Sequence, residues 1–158
     1  MKLVSENTLD QIVERFDDSE AAYEQAIVDF EKAQPILLSY LFSEEFEVFT
    51  ADEKEFMLML STIIYTAVKD ENGDIPLIDE KAIADAEEAN WAKLEDLSSK
   101  RFNERLDIFF EDYEQEDLLA FVEDALAEDD EDPIVTKEAR EPMFVTLKTV
   151  IDCLTKEK

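Results

Sequence analysis

Thr50-Ala51-Asp52-Glu53-Lys54-Glu55-Phe56-Met57-Leu58-Met59-Leu60-Ser61-Thr62-Ile63-Ile64-Tyr65-Thr66-Ala67-Val68 is the stretch on which the fold turns. It opens with a capping box: the Thr50 hydroxyl can accept from the backbone N–H of residue 53, and Glu53 can reach back to the N–H of Thr50. The apolar residues after it do not alternate, and they cover nearly every face of a helix. A helix that is apolar all round is buried all round. Residues 51–69 are therefore predicted to be the buried central helix of an all-α, compact bundle. The apolar run from Phe56 to Val68 is only 13 residues and includes Ser61, Thr62 and Thr66. That is too short to span a bilayer, which takes about 20 residues.

Working outward, the same logic yields about seven to eight helices. On the N-terminal side, helices are expected over 6–17, from Ser19 to about residue 34, and from Pro35 to about Val48. Proline inside a helix removes a hydrogen bond and clashes with the preceding turn, so Pro35 marks a kink or a fresh start. On the C-terminal side, helices are expected over 80–97, 100–111 and 116–127, and from Thr136 onward. The last carries an apolar stripe of Met143, Leu147, Val150, Ile151 and Leu154. One glycine and four prolines in 158 residues are too few for a β-sandwich or barrel, which needs a turn about every 8–12 residues. No repeat or low-complexity linker divides the chain, so residues 1–158 read as a single all-helical domain.

The missing residue types exclude much chemistry. There is no histidine, so His-based triads and His-metal sites are out. One glycine cannot make a phosphate-cradling loop, which excludes P-loop and Rossmann chemistry. Cys153 is the only cysteine; it sits beside the apolar stripe of the last helix and reads as a structural thiol. A lone cysteine and the absence of a signal-like N-terminus are expected of a cytoplasmic protein. No cofactor is expected.

Asp70-Glu71-Asn72-Gly73-Asp74 resembles the first half of an EF-hand loop, in which positions 1, 3 and 5 ligate Ca²⁺. In that register Asp70, Asn72 and Asp74 are the candidate metal ligands. The second half departs from the pattern: Ile75 stands where glycine makes the sharp turn, and Lys81 where a bidentate Glu closes the site. The simpler expectation is a helix end at Gly73, a polar turn, and an Asp79 cap on the next helix. Glu111 and Glu114 have the Glu-x-x-Glu spacing with which all-α nucleotide pyrophosphohydrolases hold Mg²⁺, and Glu20 and Glu24 lie one turn apart. With 43 acids in the chain, such pairs also arise by chance.

Charge is the largest anomaly: 43 Asp and Glu against 15 Lys and Arg, net −28. Residues 106–136 hold thirteen acids and no base, ending in the run Glu128–Asp132. Like charges on neighbouring helix turns are destabilising. Solubility alone would be served by mixed signs, as the interspersed Lys137, Arg140 and Lys148 of the last helix suggest. A one-signed surface repels nucleic acid and anionic membranes, and it attracts basic proteins. The leading expectation is thus a non-enzymatic protein that docks a basic protein partner, with no direct nucleic-acid or membrane binding. Glu111, Glu114, Asp117, Glu123 and Asp124 would carry that contact, with Trp91, the only tryptophan, as a candidate anchor. One alternative is a DNA-mimic inhibitor. Another is a carboxylate-coordinated, Mg²⁺-dependent enzyme acting on a phosphorylated small molecule. Convergence of several carboxylates with a cation in a pocket would favour the enzyme.

Overall fold

A computed structural model describes residues 1–95, 97, 98, 101–127 and 134–156. Among them there are eight α-helices and no strand: α1 Glu6–Asp18, α2 Glu20–Ala33, α3 Pro35–Leu41, α4 Ala51–Asn72, α5 Glu80–Glu95, α6 Phe102–Phe110, α7 Glu116–Leu126 and α8 Lys137–Thr155. The all-α bundle expected from composition is what forms. No described helix is long and apolar enough to cross a membrane.

Short polar side chains set the starts of these helices. The hydroxyls of Ser5, Ser19 and Thr136 accept from the N–H three residues on, in α1, α2 and α8. Asp79 does the same for α5, accepting from Ala82 N at 2.8 Å. The capping box at Thr50 is complete, and Glu53 does more than the box requires. Its Oε1 accepts from Thr50 N at 2.8 Å, while its Oε2 accepts from the N–H and the hydroxyl of Thr136 at 2.9 and 3.0 Å. One carboxylate thus ties the N-termini of α4 and α8 together. α4 ends at Gly73, whose φ of 80° and ψ of −161° strongly favour glycine.

The core lies where α4 and α8 meet. α4 packs on α1, α2 and α8, whereas α8 packs on α4, α5 and α7. The buried central helix expected at 51–69 is indeed a core helix, with Leu60, Ile63, Ile64 and Val68 enclosed. It shares the centre with α8, which is enclosed on more of its length, Ala139 to Leu154 with few gaps. The sequence hides this because α8 carries polar side chains inward. Thr146, Thr149 and Thr155 donate their hydroxyls back to the carbonyls of Pro142, Val145 and Ile151, at 2.7–2.9 Å. Each thereby satisfies its own donor within the helix, and the Thr149 oxygen still accepts from Asn90 Nδ2 at 3.1 Å.

Two expectations are corrected. The helix after Pro35 does not run to Val48: α3 stops at Leu41, and a single 3₁₀ turn follows at Glu44–Phe46. Phe46 turns inward there, stacking on Phe49 and meeting the Tyr40 ring edge-on. A continuous helix could not bring these three rings together. Arg140 and Lys148 are not interspersed surface charges; they are 7% and 3% exposed. Arg140 lies over the Phe102 ring, and Lys148 lies over the rings of Phe109 and Tyr113. Cys153 is buried as expected, and burial, then Asp152, push its thiol up to about 12.

Candidate functional site

The sequence residues singled out for metal do not converge. α4 runs through Asn72, so Asp70 and Asn72 stand two residues apart on a helix, roughly 200° around its axis. Asp70 pairs with Arg15 at 3.6 Å. Asn72 accepts from Lys2 N at 2.7 Å and donates to Val68 O, fastening the N-terminal segment instead. Asp74 is exposed. Glu111 and Glu114 fall in the turn between α6 and α7, so their spacing does not stack them on a helix face. Among the described residues no three Asp, Glu or Cys side chains come together to hold a metal ion.

Most of the described acids of the 106–136 segment are exposed. Asp107, Glu111, Asp112, Glu114, Glu116, Asp117 and Asp124 are exposed, and Glu123 is half-buried; the run at 128–132 lies outside the described residues. Asp117 has a local task, accepting from Glu6 N at 3.0 Å at the start of α1. There a carboxylate complements the helix dipole. Glu123 is crowded: burial, then Asp124, then Asp107 all push its carboxyl up. α6 and α7 therefore place Asp107 and Asp124 near enough to oppose the charge on Glu123.

Trp91 lies apart from these acids, in a pocket of about 530 Å³ between α3 and α5. Glu80, Ala84, Glu87 and Trp91 follow one another at helical spacing, placing them on one face of α5. Across from them stand Ile36, Ser39 and Tyr40 of α3, then Ser43 and Glu45 of the following turn. The Tyr40 hydroxyl donates to Glu87 Oε2 at 2.6 Å. Burial, then Glu87, hold the Glu45 carboxyl above the ordinary carboxylate range. Among the described residues no lysine or arginine lines this pocket. The Ser43 hydroxyl is buried with no hydrogen-bond partner among the described residues. Sequence reasoning found Trp91 by its rarity. The α5 spacing was legible too, but Tyr40 reaches the pocket through the packing of α3 on α5, and Glu45 through the turn that follows α3.

A larger cavity, about 940 Å³, opens between α5, α8 and the loop before α5. Its floor is a polar cluster that sequence reasoning missed. Lys148 Nζ donates to Asp152 Oδ2 and Asn90 Oδ1, both at 2.9 Å. Asn90 Nδ2 donates to Asp152 Oδ2 at 3.0 Å and Thr149 Oγ1 at 3.1 Å. The Tyr113 hydroxyl donates to Asp152 Oδ1. Burial draws the Lys148 ammonium below the ordinary lysine range, although Asp152 opposes this. Lys93, Lys156, Asp79, Asp85, Asp112 and Glu114 complete the wall. Compared with family models, curated proteins and solved structures, the chain matches none.

Proposed function

We propose that this protein is a non-enzymatic docking protein that engages a basic protein partner through the acidic surface of α6 and α7, in the cytoplasm. The observation that carries the reading is the placing of Asp107 and Asp124 beside Glu123, where burial first, and then repulsion from these two, raise the Glu123 carboxyl. An arrangement that costs stability in the free protein is relieved when a cationic surface covers it. The field of the whole chain, net −28, favours rapid encounter with such a surface and disfavours nucleic acid and anionic membranes. The test is capture from the native host with immobilised protein, comparing wild type with an Asp107→Asn, Glu123→Gln, Asp124→Asn variant. Asp117 is left intact because of its contact with α1. The expected result is a basic protein retained by wild type, lost from the variant, and released as salt shortens the Debye length below about 10 Å. An unchanged set of captured proteins would overturn the reading. If duplex DNA competes for the captured protein, the chain works as a DNA mimic.

A second reading draws on the larger cavity, where Lys93, Lys148 and Lys156 meet five carboxylates. It is within the usual range of small-molecule sites, about 300–1,000 Å³. This is the convergence that favours an enzyme acting on a phosphorylated small molecule. Among the described residues no three carboxylate or thiol side chains converge to hold the Mg²⁺ ion that such an enzyme would use. Stabilisation against heat by a small phosphorylated compound, abolished by Lys93→Gln with Lys156→Gln, would favour this reading over docking.

A further inference from the structure

We propose that the pocket between α3 and α5 is a second contact site, built to receive an arginine side chain. The inference rests on the docking reading only for the partner's basic character; the pocket can be probed without the partner. Two features point to arginine. The pocket combines aromatic and aliphatic walls, Trp91, Tyr40, Ile36 and Ile83, with a set of carboxylates, and among the described residues no lysine or arginine lines it. Glu87 lies close enough to Glu45 to oppose its charge. Among the described residues no cation lines the pocket to relieve this, whereas an entering guanidinium would. A guanidinium is also planar and weakly hydrated, stacks on aromatic rings, and bridges carboxylates with several N–H groups at once. The ammonium of lysine is a strongly hydrated point charge and matches such walls less well.

Trp91 is the only tryptophan, so its fluorescence reports on this pocket alone. The experiment titrates the full chain with an acetylated, amidated Gly-Gly-Arg-Gly-Gly peptide, with its lysine counterpart and with its citrulline counterpart. Citrulline keeps the shape of arginine and removes the charge. The expected result is a saturable change with the arginine peptide, binding at least about tenfold weaker with lysine, and none with citrulline. Glu45→Gln with Glu87→Gln should weaken arginine binding about tenfold or more. Its melting temperature should be unchanged or higher, because a repulsion is removed. The Asp107→Asn, Glu123→Gln, Asp124→Asn variant should bind the peptide as wild type does, so the two surfaces can fail separately. Equal binding of arginine and citrulline peptides, equal binding of arginine and lysine peptides, no saturable response, or insensitivity to the double variant would each overturn the assignment.

Discussion

Lys148 shows at the residue scale why a charged letter is a poor guide to exposure. Its ammonium is enclosed by Asp152, Asn90 and the rings of Phe109 and Tyr113. The pair is a buried salt bridge, so its net contribution to stability is small, while loss of one partner is costly. Lys148→Met should destabilise the protein by about 2–4 kcal/mol, because Asn90 Oδ1 and the Asp152 carboxylate lose their donor. Adding Asp152→Asn removes the orphaned charge, so the double variant should be at least as stable as Lys148→Met in urea melts. A further loss of 1 kcal/mol or so would show that Tyr113 and Asn90, not Lys148, are what Asp152 needs. The sequence could not reveal this cluster. Asn90, Tyr113 and Asp152 come from three distant segments, and Lys148 and Arg140 sit on α8 at intervals that also suit an exposed face. Trp91 was legible as a residue of interest, yet its pairing with Tyr40 and four glutamates was not, because that depends on how α3 ends.

At the scale of elements, caps and apolar periodicity carried most of the information. Ser19, Thr50, Asp79 and Thr136 begin helices where their side chains can accept a backbone N–H, as read. Where local signals failed, packing between elements had decided. α3 stops short because Phe46 and Phe49 are drawn into the core. α8 rivals α4 as the centre because its threonines satisfy themselves along the helix. α4 remains the element whose enclosure the sequence announced most clearly, and it is testable. Leu60 and Ile63 are both buried, so replacing either with Ala should cost about 2–5 kcal/mol, the transfer term plus the cavity left behind. Thermal stability within about 1 °C of wild type for both variants would contradict a core role for α4.

At the scale of the whole molecule, a net charge of −28 makes the fold an electrostatic compromise, and pH and salt expose it. Burial and the carboxylates around them raise the carboxyls of Glu45 and Glu123 in the folded state. A raised folded pKa means that the native state takes up protons before the unfolded chain does. The penalty from these two groups is full above the folded pKa and is relieved as pH falls through it towards the ordinary value near ~4.3. Glu53 works the other way. Burial pushes its carboxyl up, but hydrogen bonds from Thr50 and Thr136 outweigh that and hold it below the ordinary range. Its stabilisation is present above the ordinary carboxylate pKa and is lost only as pH falls through the lowered folded value. Stability should therefore rise as pH falls from about 7 to about 5, then decline at lower pH as the joint cap of α4 and α8 is protonated. At pH 7, sodium chloride should also raise it, because screening weakens repulsion among exposed carboxylates more than the buried contacts of Glu53. Urea melts at pH 7, 5.5 and 3.5, with and without about 0.5 M salt, measure all of this. A midpoint at pH 5.5 below that at pH 7 would mean that favourable contacts such as Arg15–Asp70 and Lys148–Asp152 outweigh the crowding. The acidic surface would then carry no strain for a basic partner to relieve.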